Sequence, residues 1–145
     1  MVRLQELMDR VRRAGLRVTR QRVLILQALC ELDGHANAEE VHRQVALHRR
    51  DVDLSTVYRN LELLRDARIL SQTDLGHGCA EYEVMGDTPH HHLVCRRCGH
   101  IQELDHVSLD AMGDAIRERY GFEPILDHWA IFGVCAACSA HGTDE

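Results

Sequence analysis

Two cysteine pairs with the same internal spacing constrain this chain more than any other feature of its sequence. Cys95 and Cys98 form one C-x-x-C pair, and Cys135 and Cys138 form the second pair 40 residues later. A two-residue spacer lets both thiolates of a pair bind one ion, about 3.7 Å apart for tetrahedral Zn–S bonds near 2.3 Å. Gly99 permits the tight turn after the first pair. Because four thiolates leave no open coordination position, the pattern predicts a structural Zn²⁺ site that joins the ends of a small domain.

Redox chemistry and zinc-dependent catalysis are the alternative roles for these cysteines. A thioredoxin-like redox pair requires a helix N-terminus, whereas Cys95 ends an apolar run. A zinc deaminase is the competing enzyme class, because Cys79 and Glu81 precede a C-x-x-C pair. That pattern lacks a proline before Cys95 and leaves the second cysteine pair without a role. We therefore expect a protein that is not an enzyme, with metal storage or delivery as a further alternative.

Charge is distributed unevenly along the chain, whose net charge is −6. Residues 1–78 carry 13 arginines against 11 acidic residues, and residues 79–145 carry 4 against 12. Residues 1–22 alone contain 7 arginines and 2 acidic residues. A basic N-terminal face is typical of nucleic-acid binding, so we expect two domains with different partners.

Since no apolar run reaches the roughly 20 residues of a membrane span, we expect a cytoplasmic protein without a membrane partner.

The first half of the chain predicts helices followed by a hairpin. Thr19, Asn37 and Ser55 are suitable N-caps, and Glu40 completes a capping box with Asn37. Apolar residues recur at helical spacing after each cap, and two alternating segments follow. The predicted elements are helices over 3–14 and 20–32, helices beginning at Asn37 and Ser55, and strands over 69–73 and 80–84. Helices followed by a two-stranded hairpin indicate a winged-helix domain, and therefore an α+β chain.

The second half predicts a small α/β domain after a linker over residues 85–89. Strands are expected over 90–95, 101–104 and 125–134, with a helix from Ser108 to Tyr120. The first strand contains His90, His91 and His92. Because side chains alternate along a strand, His90 and His92 face one side and His91 the other, so the tract can contribute to two sites.

The exposed face of the fourth helix predicts a DNA-recognition helix. Polar side chains of the length that reaches base edges alternate there with a buried apolar stripe. Arginines near the start of the second helix are expected to contact the DNA backbone. The predicted DNA-binding residues are Arg17, Arg20, Arg22, Ser55, Thr56, Tyr58, Arg59 and Asn60. A dimer would present two such helices to palindromic double-stranded DNA.

Four segments together resemble the ferric uptake regulator family over nearly the whole chain. They are GLRVT at 15–19 with Gln21-Arg22, STVYRNL at 55–61, HHHLVCxxCG at 90–99, and IFGxCxxC at 131–138. The resemblance implies a dimeric, metal-dependent repressor that controls metal-homeostasis genes. It implies a winged-helix DNA-binding domain over 1–84, a hinge over 85–89, and a dimerisation and metal-binding domain over 90–145. A peroxide-sensing regulator of the same family is the alternative.

The resemblance also implies an exchangeable regulatory metal site, formed by His35, Glu83, His90, His92 and Glu103. Imidazole and carboxylate donors suit Fe²⁺, Zn²⁺, Ni²⁺ or Mn²⁺, and they do not select among these ions sharply. One ion bound by residues of both domains would fix the angle between them. A second regulatory site is implied at His91, Asp110 and His128, with Pro89 where relatives have a further histidine. His77 resembles a ligand of a nickel-sensing branch.

Overall fold

The computed structural model describes residues 4–76, 78–86 and 88–140. The chain divides into two compact units. Met1–Gln72 and Cys79–Gly86 form the first unit, and Thr73–Gly78 and Asp87–Glu145 form the second. The described residues contain six helices and two three-stranded sheets, which confirms the predicted α+β class.

The first unit begins with four helices, and side chains cap three of them at the N-terminus. The Thr19 side chain accepts a hydrogen bond from the Arg22 backbone N–H, and Asn37 and Glu40 form a complete capping box. Both predicted caps are thereby confirmed. The cap at Ser55 was wrong: Asp53 caps that helix by accepting from the Thr56 N–H at 2.7 Å. The helices are α1 (Leu4–Arg13), α2 (Arg20–Leu32), α3 (Ala38–Ala46) and α4 (Leu54–Asp66).

A small sheet accompanies these helices, in the order β1-β3-β2. Its strands are β1 (Ala36–Asn37), β2 (Leu70–Asp74) and β3 (Ala80–Val84). The apolar stripes of all four helices meet in one core that also includes Ile69, Leu70 and Tyr82. Since the helix stripes have the 3.6-residue period, this core leaves the opposite face of α4 exposed to solvent.

The second unit is built around a three-stranded sheet in the order β5-β4-β6. Strand β4 pairs antiparallel with β5 and parallel with β6. The predicted strand over 125–134 was too long, since β6 covers only Ala130–Gly133. The cap predicted at Ser108 was also wrong, because α5 begins at Val107 without a side-chain cap. The elements are β4 (His90–Cys95), β5 (Ile101–Asp105), α5 (Val107–Tyr120), β6 (Ala130–Gly133) and α6 (Ala136–Ala140).

Few apolar side chains are buried in the second unit. Leu109 on α5 is 4% exposed and Leu126 is 8% exposed. Helix α5 approaches Leu126 closely at Gly113, where a Cβ atom would lie 3.1 Å from the Leu126 Cδ1.

Among the helices of the described chain, none combines the length and the hydropathy that a membrane span requires.

Candidate metal centres and DNA-binding surface

The four paired cysteines form one cluster in the second unit. Cys95 ends β4 and Cys98 lies in the following turn, where Gly99 has a φ of +73°. Cys135 precedes α6 and Cys138 lies within it. The parallel pairing of Cys95 with Gly133 places the start of α6 beside the first turn. All four Sγ atoms lie within 4.8 Å of one another.

The distances and charges in this cluster fit a tetrahedral zinc ion. Cys98 Sγ lies 3.7 Å from Cys135 Sγ, the separation expected for two thiolates on one zinc ion. The backbone N–H groups of Cys135 and Cys98 lower the pKa of the Cys95 thiol to about 5. The Cys98 and Cys135 side chains raise the pKa of the Cys138 thiol. The pKa values of Cys95 and Cys138 thus shift in opposite directions, and a cation at the centre of the cluster would stabilise both groups as thiolates.

His35 and Glu83 are adjacent in the first unit. Ala36 pairs with Tyr82 and Asn37 with Glu81 in the antiparallel β1–β3 ladder, and continuing this register places His35 opposite Glu83. The His35 Nε2 atom lies 3.3 Å from Glu83 Oε2. The pair offers one imidazole and one carboxylate, the mixed donor set that exchangeable divalent ions favour.

Three histidines of the second unit form a cluster at the start of β4. The ring centroids of His90 and His92 are 5.1 Å apart, and the His128 ring lies 5.0 Å from His90 and 4.7 Å from His92. Glu103 pairs with His92 in the β4–β5 register and is exposed. Directly paired residues share a face of a sheet, so Glu103 lies on the same face as His92.

His91 points to the opposite face of β4 and has other partners. It is fully buried, and its Nδ1 accepts a hydrogen bond from the Trp129 backbone N–H at 3.1 Å. Its Nε2 lies 3.0 Å from His106 Nδ1, and His106 Nε2 lies 3.7 Å from Asp110 Oδ1. His106 was missed in the sequence. Its only signal there is its place four residues before Asp110, one helical turn away.

The predicted metal ligands therefore divide by unit and by face. Within the second unit, His128 lies with His90 and His92, while His91 and Asp110 lie with His106. His77 is outside the described residues. Sequence reasoning grouped the cysteines as the structure has them, but it assigned His128 to the group of His91.

The exposed face of α4 carries the residues predicted to read DNA. Tyr58 is 42% exposed, and Ser55 and Arg59 are also exposed. Val57, Leu61 and Leu64 on the opposite face are buried. A helix with one face packed and the other polar has the form that enters a major groove.

Arg22 and Asn60, also predicted to bind DNA, are hydrogen-bonded to each other. The Arg22 Nε donates to Asn60 Oδ1 at 3.1 Å, and its Nη1 donates to the Arg17 carbonyl oxygen. The Asn60 Nδ2 donates to the Thr56 carbonyl oxygen at 2.8 Å. These bonds connect α2 to α4. Arg17 and Arg20, by contrast, are exposed.

Comparison with known proteins gives consistent matches over most of the chain. The Ferric uptake regulator family profile matches residues 13–129. The ferric uptake regulation protein of Neisseria meningitidis serogroup B is 34% identical over 131 residues, covering 89% of this chain and 90% of that protein. The peroxide-responsive repressor PerR of Staphylococcus epidermidis is 26% identical over 139 residues, covering 96% and 92%. The structure of the ferric uptake regulator from Pseudomonas aeruginosa with manganese has a TM-score of 0.73 and 30% identity, covering 89% of this chain and 97% of that chain.

Proposed function

Because this chain belongs to the ferric uptake regulator family of metal-responsive transcriptional regulators, we propose that it represses metal-homeostasis genes from palindromic operator DNA. It does so as a homodimer, when a divalent ion occupies its His/carboxylate site. The observation that carries this proposal is the presence of two chemically different donor clusters in one chain. One is all sulfur and suits a permanent ion, and the other is imidazole and carboxylate and suits an exchangeable one.

The sulfur cluster supports a structural role for Zn²⁺. Cys95, Cys98, Cys135 and Cys138 would complete a tetrahedral ion with no position left for water or substrate. This donor set excludes the deaminase chemistry considered for Cys79 and Glu81, because that chemistry requires an open position on the metal. The protein is a regulator and not an enzyme, as its family membership shows.

The regulatory ion is assigned to His35, Glu83, His90, His92 and Glu103. The His35–Glu83 pair belongs to the first unit, and the other three residues belong to the second. An ion bound to residues of both units would restrict their relative movement, and so raise the fraction of dimers whose recognition helices match the operator. Fe²⁺, Zn²⁺, Ni²⁺ and Mn²⁺ are the candidate ions.

The DNA-reading residues are assigned to α4. Arg59 and Tyr58 have the exposure and the length to reach base edges, with Ser55 and Thr56 beside them, and Arg17 and Arg20 are placed to contact phosphates. Because Arg22 and Asn60 bond to each other, they position α4 against α2. Binding to operator DNA implies a cytoplasmic location.

The homodimer is assigned to the second unit. Eight of the ten large apolar side chains that are exposed in the described chain lie there, on β5, α5, β6 and the segments that follow them. They are Ile101, Val107, Tyr120, Phe122, Ile125, Ile131, Phe132 and Val134. Apolar surface of this extent on a small unit is typical of a face that a second protein covers.

A peroxide-sensing regulator is the second candidate, since PerR of Staphylococcus epidermidis aligns over 96% of this chain. Hydrogen peroxide would then release the iron-loaded protein from its operator and would leave the zinc-loaded protein bound. A release that requires iron favours this candidate, and unchanged binding of the iron-loaded protein excludes it.

The experiment for the main proposal compares operator binding with and without metal. Operator DNA is first selected from a random duplex pool with the metal-loaded dimer, and affinity is measured by fluorescence anisotropy at constant salt. Wild type is expected to bind about 5–150-fold more tightly with metal, which corresponds to a coupling of about 1–3 kcal/mol. His90→Ala is expected to lose this response, and His48→Ala, at an exposed histidine of the first unit, is expected to keep it. A full response from His90→Ala contradicts the assignment.

The DNA assignment predicts different behaviour for Arg59, Arg17 and Arg22. Arg59→Ala should weaken specific binding by about 1–3 kcal/mol and relax sequence preference, because it removes a base contact. Arg17→Ala should weaken binding to all sequences and reduce the salt dependence by about one phosphate contact. Arg22→Gln should weaken operator binding with the salt dependence unchanged, because Arg22 acts through Asn60. A reduced salt slope for Arg22→Gln would instead make Arg22 a phosphate contact.

A further inference from the structure

The histidines of the second unit form two groups on opposite faces of β4. His90 and His92 lie on one face together with His128, and the three ring centroids are 4.7–5.1 Å apart. His91 lies on the other face, where its ring stacks on His106 at 5.3 Å. The family resemblance had implied that His128 and His91 share a second regulatory site, so this division assigns His128 to different partners.

The spacing of the three rings matches three imidazoles on one ion. With metal–nitrogen bonds of about 2.0–2.1 Å, each ring centroid lies about 3.2 Å from the metal. Ligand angles between 90° and 109° then separate two centroids by about 4.5–5.2 Å. All three observed separations fall within this range, and a donor nitrogen of His92 lies within 4.8 Å of one on His128. The ring spacing therefore admits His128 beside His90, and the donor-atom distance joins it directly to His92.

The hydrogen bonds of His91 argue against its use as a metal ligand. The Trp129 backbone N–H is only a donor, so His91 Nδ1 must be the acceptor and the ring proton lies on Nε2. That N–H donates to His106 Nδ1, which leaves the His106 proton on Nε2, toward Asp110. A metal ligand needs an unprotonated nitrogen that points at the ion. Both ring nitrogens of His91 are instead engaged in hydrogen bonds, Nδ1 with the Trp129 N–H and Nε2 with His106 Nδ1.

We propose that His128 is a ligand of the regulatory ion together with His90 and His92, and that His91 and His106 form a hydrogen-bonded pair, with Asp110 beside it, that binds no metal. This inference rests on the proposed function, because it concerns the same regulatory ion. Its consequence is a nitrogen-rich site. Three imidazoles from one unit suit Zn²⁺ or Ni²⁺ better than Mn²⁺, which prefers carboxylate and water oxygen.

The test titrates Co²⁺ into the full-length dimer whose sulfur site already holds zinc. The readouts are the visible absorption of bound Co²⁺ and the number of Co²⁺ ions retained per chain after dialysis. Wild type is expected to bind one Co²⁺ per chain, and competition should give tighter binding of Zn²⁺ and Ni²⁺ than of Mn²⁺. His128→Ala and the more conservative His128→Gln should both weaken Co²⁺ binding more than tenfold and alter its spectrum. Zinc content and circular dichroism verify that each variant is folded.

Asp110→Asn is the matched control, because Asp110 is exposed and belongs to the other group. It should bind one Co²⁺ per chain with wild-type affinity. Two ions bound by wild type, one of which is lost in Asp110→Asn, would overturn the inference and restore a second site. Wild-type Co²⁺ binding by folded His128→Gln, with weakened binding by His90→Ala, would also overturn it and would leave the proposed function intact. Wild-type binding by His90→Ala, His92→Ala and His128→Gln together would contradict the proposed function itself.

Discussion

The two units of this chain are stabilised by different means. In the first unit, buried apolar side chains from α1, α2, α3, α4 and the small sheet form one continuous core. The second unit buries few large apolar side chains and exposes most of those it has. It contains instead the four-cysteine cluster and the histidine groups. Burial of apolar area accounts for the first unit, whereas we expect the second to be stabilised by a bound ion and by a partner that covers its apolar surface.

In the proposed function, the DNA-reading helix belongs to the unit with the apolar core, and most of the proposed metal ligands belong to the other unit. We expect a unit with its own apolar core to present α4 in the same shape whether or not metal is bound. A unit whose stability depends on ions and on a partner surface links its structure to metal and to dimerisation. In the proposed function the sulfur cluster stabilises the second unit, because four thiolates leave no open position on the ion, and the histidine cluster supplies exchangeable donors.

The largest expected effect follows from removing one sulfur ligand. Cys98→Ser changes an exposed residue, so it removes little packing but leaves three thiolates for the ion. We expect the second unit to unfold and the dimer to dissociate, because structural zinc contributes about 10–16 kcal/mol of apparent binding energy in small domains. Trp129 is the only tryptophan of the chain and reports on the second unit. Its emission should shift to that of exposed indole, while much of the helical signal of the first unit remains.

Cys79→Ser is the control for this change, since Cys79 is an exposed cysteine of the first unit. It should retain one zinc ion per chain, the native Trp129 emission and the dimer. A Cys98→Ser protein that keeps its zinc and its Trp129 emission would remove the distinction between the two units.

A substitution in the apolar core tests the other side of the comparison. Leu61 on α4 is fully buried, and Leu61→Ala should lower the free energy of unfolding of the first unit by about 2–5 kcal/mol. Leu47→Ala, at a side chain that is 75% exposed, should change it by less than about 0.5 kcal/mol. Denaturant unfolding is followed by circular dichroism and by Trp129 emission. If Leu61→Ala shifts both transitions equally, the units unfold together and the comparison fails.

The sequence predicted most reliably what depends on neighbouring residues. The cysteine ligands follow from a local spacing, and the caps at Thr19 and Asn37 follow from side chains that bond within one turn. At α4 two candidates compete, and Asp53 displaces Ser55 because Val52 before it is buried and the helix begins at Leu54. Ser55 then donates its hydroxyl proton to Asp53.

The grouping of the histidines was not predictable in the same way. Alternation along β4 separates His91 from His90 and His92, and the sequence showed this directly. The side chains that contact the histidines on each face of β4 come from the region of α5 and from the segment before β6. These segments are distant in sequence, and no periodic pattern in the sequence indicates such long-range neighbours. Strand β6 also begins at Ala130, so alternation along a longer strand cannot be used to place His128.

The smallest expected effects concern hydrogen bonds at the starts of α2 and α5. Thr19 Oγ1 accepts from the Arg22 N–H at 3.3 Å, so Thr19→Ala leaves one N–H of the first turn unsatisfied and should lower the stability of the first unit by about 1 kcal/mol. In the second unit, Ser108→Ala removes only a hydroxyl that donates to Asp105, and Asp105 still accepts from the Ser108 N–H at 2.8 Å. Its effect should stay below about 0.5 kcal/mol. Urea unfolding followed by circular dichroism and by Trp129 emission measures both. An equal loss from the two substitutions would mean that local hydrogen bonds matter as much to the second unit as to the unit with the apolar core.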